Sequence, residues 1–290
     1  MREIHTRFDR PALIDDTWAE QFVPDTERAV ILSFRDVRVE DFESPNAALA
    51  AALRKSPAYP SAILRTRWTE DALQAAVAEG VRQYVIIGAG MDSFALRRPD
   101  FAKGVHVIEV DHPATQSFKR ERLRVAEVQV PPTLEFVAVD LSSHDLGTAL
   151  KRSAYRTDRP AFFSWLCVTM YLTRDANLAT LKAIASCSVP GSELAFSYID
   201  QREFDPTLQS KDNKLVQSNA GALGEAWVSG FDPAELSADL RNVGFALEED
   251  LDGEQISKRY YGSSKHALRP LVTNHYARAR VTAESHADPA

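Results

Sequence analysis

The sequence predicts an α/β fold: a doubly wound, mostly parallel, Rossmann-like sheet of seven strands. Three observations carry this. Short apolar strands alternate with helical segments about every 25–30 residues from Tyr84 onward. The run Tyr84-Val-Ile-Ile is continuous and β-branched or aromatic, as in a strand buried on both faces, and Gly88-Ala-Gly90 follows it at once. An acid pair, Glu109 and Asp111, closes the next apolar run, 109 − 88 = 21 and 111 − 88 = 23 residues beyond Gly88. That offset is about the ~20 residues at which a second strand presents a carboxylate to ribose hydroxyls.

The elements follow in order. Residues 1–68 read as an N-terminal helical cap over the pocket mouth or the sheet edge, with 46–55 helical on propensity alone. Thr69 reads as the N-cap of a helix that runs to Gly80, with Glu70 and Asp71 in its first turn. Arg65 and Arg67 then fall in a loop ahead of it. The cofactor core spans 69–200, with strands at 84–87, 105–110, 134–141, 161–168 and 193–200. A helix over 113–127 begins with Pro113, and its run of Lys119, Arg120, Arg122 and Arg124 reads as a solvated face. Another helix covers 173–188. Polar residues 201–230 break the rhythm and read as a helical, substrate-side insertion, since insertions after strand ends lie at the ligand edge. Residues 231–283 complete the sheet, with a helix from Asp232 to Gly244 and strands at 245–251 and 275–281. Residues 284–290 read as frayed.

Composition bounds the function. A net charge of −7 without a basic face argues against nucleic acid as a partner. The first residues lack an apolar segment, and the longest apolar-rich run, 161–172, is too short to cross a bilayer, so a cytoplasmic location without membrane contact is expected. Cys167 and Cys187 read as buried small hydrophobes, and no metal site is expected. A homodimer is left open.

The glycine turn narrows the ligand. A nicotinamide dinucleotide fingerprint places glycine sixth, whereas Gly88-Ala-Gly-Met-Asp-Ser93 has serine there and Asp92 beside it. An acid in the turn opposes a pyrophosphate and suits a cation. With Asp92, Glu109, Asp111 and Asp140 at successive turns and strand ends, the cleft suits S-adenosylmethionine, whose sulfonium and ammonium are positive. The alternative is a nicotinamide-dependent oxidoreductase.

The residues Arg65, Gly88-Ala-Gly-Met-Asp92, Glu109-Val-Asp-His-Pro113, Asp140-Leu141 and Trp165-Leu-Cys-Val-Thr-Met-Tyr-Leu172 resemble the leucine carboxyl methyltransferase family. Within it they are most similar to the bacterial branch of polyketide-type O-methyltransferases. The resemblance runs from about Arg65 to about Leu194. It implies a class I methyltransferase that uses S-adenosylmethionine and methylates an oxygen, often a carboxylate, of a small-molecule acceptor. Position by position, it assigns Arg65 to the methionine carboxylate and Gly88, Ala89 and Gly90 to the methionine and ribose. Asp111, with Glu109 and Val110, would hold the ribose, and Asp140 and Leu141 would frame the adenine. Leu166 stands where the family places a cofactor-facing glutamate five residues before the motif tyrosine, Tyr171. That departure favours the small-molecule branch over a protein substrate and keeps a catalytically silent homologue in view. A carboxylate acceptor needs no general base, whereas a phenol does, and His112, His144, His266 and His275 are candidates. Tyr171 and Tyr198 are candidates for positioning the acceptor, or else amphipathic rim tyrosines.

Overall fold

The computed structural model of the chain describes residues 1–141, 145–222 and 226–283. Seven strands form one sheet: β1 (Gln83–Ile87), β2 (His106–Asp111), β3 (Leu134–Ala138), β4 (Phe162–Trp165), β5 (Glu193–Ile199), β6 (Phe245–Leu251) and β7 (Asn274–Val281). Their order is β3-β2-β1-β4-β5-β7-β6. Five strands are parallel, and β7 runs antiparallel to both β5 and β6. An all-parallel dinucleotide-binding sheet has the order 3-2-1-4-5-6, so the inserted, reversed β7 sets this sheet apart. The order turns around between β1 and β4. The crevice beyond the carboxyl ends of those two strands is where such sheets bind ligands.

Twelve helices are described: α1 (Arg2–Phe8), α2 (Ala19–Phe22), α3 (Asp25–Phe34), α4 (Pro45–Arg54), α5 (Ala58–Ala78), α6 (Phe94–Arg97), α7 (Pro113–Val125), α8 (Leu146–Leu150), α9 (Arg174–Ser186), α10 (Lys211–Ala222), α11 (Leu236–Asn242) and α12 (Gly253–Tyr261). Strand alternation divides the core in two. Val85, Ile87, Phe163 and Phe196 pack with α8, α9 and α11 through Leu150, Leu181, Ile184 and Leu240. Tyr84, Ile86, Phe162 and Tyr276 pack on the other face against Leu64, Trp68 and Leu73 of α5 and Ile256 of α12. Each fully buried aliphatic side chain contributes roughly 2 kcal/mol.

Three local expectations are corrected. Thr69 does not start a helix: it lies buried inside α5, whose 21 residues begin at Ala58 and carry Arg65 and Arg67 as well. The Thr-Glu-Asp capping signal is overridden because Leu64, Trp68 and Leu73 bury one continuous helix against the sheet, and Glu70 instead binds Arg97. Helix α11 starts at Leu236, one turn later than Asp232, whose carboxylate accepts the Ala234 N–H in a preceding turn. Lys119 is not on a solvated face. It is 1% exposed and points at Glu109. Helices α1, α3 and α12 lack a distinct signal in the sequence reading, and residues 284–290 lie outside the described residues.

Candidate active site

The glycine elbow sits where β1 ends. Gly88 N–H donates to the Val110 carbonyl at 2.8 Å and Ala89 N–H to the same oxygen at 3.3 Å, which ties the turn to β2. Gly90 N–H donates to Asp111 Oδ2 at 2.5 Å, and His112 N–H donates to Asp111 Oδ1 at 2.6 Å. Asp111 is therefore locked at the end of β2, half-buried, with its carboxylate against the elbow. Gly88 has φ +66, a conformation that favours glycine. A Cβ there would stand 2.4 Å from Val168 Cγ2, so the elbow touches the segment that leaves β4. Asp140 lies two residues past β3, half-buried beside Leu141, and the Val139 N–H bonds the Asp111 carbonyl at 2.8 Å. Leu166 follows β4 directly and is half-buried.

Asp92 is used locally: its Oδ1 accepts the Phe94 N–H at 2.7 Å. Glu109, expected close to the ribose, is held by a lysine. It is 2% exposed, and Lys119 Nζ donates to its Oε2 at 2.5 Å and to the Asp92 carbonyl at 2.6 Å. Burial pushes the Glu109 carboxyl up to about 7 against the opposing pull of Lys119. The amino-terminal segment is fastened to the same elbow. Arg2 donates to Asp16 at 2.7 Å and to the Met91 carbonyl at 2.8 Å, and Ser93 Oγ donates to the buried Asp16 at 2.6 Å.

Under the amino-terminal half of α5 is a cavity of about 130 Å³, lined in part by Cys167, the residue before the Val168 that faces Gly88. Arg65, Cys167, Tyr171, Asn213, Trp227 and Asn274 are among the residues that line it. Arg65 and Tyr171, far apart in sequence, thus meet at one site. Arg65 is half-buried and makes no hydrogen bond or ion pair among the described residues. A guanidinium held there without a partner calls for a carboxylate. The chemistry of the set fits S-adenosylmethionine: Arg65 could take its carboxylate, the glycine backbone leaves room for its approach, and Asp111 could take its ribose hydroxyls.

Tyr198, a candidate for positioning the acceptor, lines the cavity but spends its hydroxyl on Asp250. Its ring is 1% exposed, packs against Phe196 and Phe231, stacks on His275 at 4.8 Å, and its hydroxyl donates to Asp250 at 2.7 Å. Its ring belongs to the layer packed with α9 and α11, and the residue also lines the cavity beside Ser197. Burial, then the charge of Asp250, pushes its phenol far above the ordinary range. His275 is bound to Asp250 in the same cluster at 3.2 Å. His144 lies outside the described residues. No residue of α10 or the 226–230 segment was singled out by sequence, although Asn213 and Trp227 line the cavity. A fully buried asparagine in a polar stretch leaves no periodic signal. Among the described residues, no group of three or more His, Cys, Asp or Glu side chains could hold a metal, and no helix is long and apolar enough to cross a membrane.

Strand order and elbow together are those of the class I methyltransferase fold. The chain matches the family described as leucine carboxyl methyltransferase over residues 1–185. It is 29% identical over 289 residues to YktD of Bacillus subtilis (strain 168), across 96% of this chain and 94% of YktD. It is 32% identical over 275 residues to a protein of Mycobacterium sp. (strain JLS), across 94% of this chain and 78% of that one. The names of both relatives assign them provisionally to the S-adenosyl-L-methionine-dependent methyltransferases. A crystal structure from Thermobifida fusca YX, named provisionally as a methyltransferase, has the same fold, with a TM-score of 0.55 at 18% identity over 96% of this chain and all of that one. The chain belongs to the leucine carboxyl methyltransferase family. S-adenosylmethionine is its cofactor, and the nicotinamide alternative falls away.

Proposed function

We propose that the chain is an O-methyltransferase that places a methyl group on a hydroxyl or carboxylate oxygen of a small molecule of polyketide type. The observation that carries this reading is Arg65, an unpaired guanidinium in a cavity the size of one aromatic ring. An apolar cavity of about 150 Å³ holds benzene, so a cavity of this order takes the reacting end of a small acceptor and no folded protein surface.

The cofactor, when bound, supplies an electrophilic methyl group on a positively charged sulfur. The chain's own residues then have two tasks, alignment and exclusion of water. Arg65 would hold the methionine carboxylate, and Asp111 with the Gly88–Gly90 backbone would hold the ribose end. Asp140 and Leu141 would frame the adenine. Tyr171, on the acceptor side of Arg65, would align the attacking oxygen with the methyl group. Residues 201–230, through α10, would wall the acceptor side, and the segment fastened by Arg2 and Asp16 would keep water from the elbow.

Two measurements test this. Purified protein is incubated with methyl-labelled S-adenosylmethionine and a panel of aromatic and aliphatic hydroxyl and carboxyl compounds. Label should pass to small molecules, in alkali-labile esters or alkali-stable ethers. By calorimetry, Arg65→Met should weaken S-adenosylmethionine by about tenfold or more, the loss of one charge-assisted contact. Wild-type affinity in R65M, with the label passing only to protein, would remove the proposal.

A further inference from the structure

The cavity has a polar inventory that its own protein does not satisfy. Asn213 Oδ1, Trp227 Nε1 and Asn274 Oδ1 are buried without a hydrogen-bond partner among the described residues, and all three residues line this one cavity. Leaving a buried polar atom unpaired costs about 1–3 kcal/mol, so three at one site mark a place where a ligand completes the bonding. At Asn274 it is the carboxamide oxygen, Oδ1, that is buried without a partner, while the neighbouring Tyr276 hydroxyl donates to Ser61 Oγ at 2.9 Å. Asn213 is 0% exposed and uses its amide nitrogen on Thr273 Oγ1 at 2.8 Å, which again leaves an oxygen. The vacant positions are thus two acceptors and one donor, the indole N–H.

Charge narrows the ligand further. Arg65 is the one permanent cation among the described residues that line the cavity, and His275 is tied to Asp250. On the reading proposed above, Arg65 is taken by the cofactor's carboxylate. No second cationic side chain remains for an acceptor carboxylate, and the one positive charge left to it is the cofactor's own sulfonium. A carboxylate also offers only acceptors and would set its oxygens against Asn213 Oδ1 and Asn274 Oδ1. A hydroxyl both donates and accepts, and it carries no charge.

We infer that the acceptor is a neutral hydroxyl compound with a reacting end about the size of one aromatic ring, a phenol or small alcohol and not a carboxylate, held through Asn213, Asn274 and Trp227. This rests on the methyl-transfer reading and specifies its substrate class. In the step itself the hydroxyl oxygen uses a lone pair to form the new C–O bond. The methyl carbon–sulfur bond breaks with its electron pair left on sulfur, which becomes a neutral thioether, and the hydroxyl proton passes to water.

The test uses two probes with the same ring, p-cresol and 4-methylbenzoate, titrated by calorimetry into the full chain loaded with S-adenosylhomocysteine. The expected result is that p-cresol binds at least about tenfold more tightly than 4-methylbenzoate. Asn213→Leu and Asn274→Leu should each weaken p-cresol by about tenfold and leave S-adenosylhomocysteine affinity within about twofold, which also reports that they fold. Equal or tighter binding of 4-methylbenzoate overturns the inference, as does failure of both probes to bind or a p-cresol affinity unmoved in both leucine variants. The wild-type comparison decides even where a variant does not fold. Failure of the chain to take up S-adenosylhomocysteine at all is a different outcome and sinks the methyl-transfer reading beneath it.

Discussion

Lys119 Nζ lies 2.5 Å from Glu109 Oε2, and each side chain is 2% exposed. The same ammonium donates to the Asp92 carbonyl, so one buried cation joins α7, β2 and the turn that follows the glycine elbow. Removing one partner of such a pair strands the other charge out of water. At pH 8, Lys119→Met should destabilise the fold by about 3–5 kcal/mol in urea unfolding. The double variant E109Q/K119M should recover part of that loss, because no charge is then stranded. A single K119M variant as stable as the wild type would show that the pair is dispensable.

Glu109 also sets a pH dependence. Its folded carboxyl is raised from 4.5 to about 7, first because burial disfavours the charged form, with Lys119 opposing. Between those values the folded chain holds a proton that the unfolded chain has already released. Stability therefore falls as pH rises through that window, by on the order of 3 kcal/mol in total, and no further loss from this group follows above it. Glu109→Gln should abolish this component of the unfolding free energy measured from pH 4.5 to 8. A parallel pH profile for wild type and E109Q would assign the dependence elsewhere.

Asp111 has two tasks that substitution can separate. Its Oδ2 fixes the elbow through Gly90 N–H, and the carboxylate is the candidate ribose partner. Asp111→Asn keeps one acceptor oxygen and Asp111→Ala keeps none. S-adenosylmethionine affinity by calorimetry should fall about tenfold or more in D111A and by a smaller factor in D111N. Unchanged affinity in D111A would remove the ribose assignment.

The strands were legible because each is a short apolar run with a turn behind it, and the pairing of an elbow glycine with Asp111 is a local spacing. Lys119 was misread for a physical reason. Three other basic residues share its helix, two of them exposed and Arg122 half-buried, and nothing local to the chain says that α7 turns one lysine toward an acid ten residues upstream. Thr69 failed in the opposite way: a good local cap was outweighed by Leu64, Trp68 and Leu73 packing on the sheet. The acceptor wall was the least legible part. Asn213, Trp227 and Asn274 come from separate segments, and only the return of β7 beside β5 brings them to one cavity. Arg65 was singled out by resemblance and read as a loop residue by local pattern. Its place on α5 explains how a cation is held rigidly at the crevice.

Gly88 is the position where backbone and packing demands coincide. Its φ of +66 disfavours any Cβ, and a Cβ would also meet Val168 Cγ2 at 2.4 Å, with the next contact, Val168 Cβ, at 3.6 Å. Gly88→Ala should therefore destabilise the chain by about 2–5 kcal/mol, part from the left-handed backbone and part from overpacking. Val168→Ala removes the colliding methyl and leaves the backbone penalty. In the G88A/V168A double variant the steric part should vanish, which gives a favourable coupling of about 1 kcal/mol or more in a double-mutant cycle of urea unfolding. The backbone part, about 1–2 kcal/mol, should persist. Strict additivity of the two substitutions would mean that the elbow does not press on the β4 exit segment, and the close approach of the two carboxyl-end loops that shapes the crevice would lose its support.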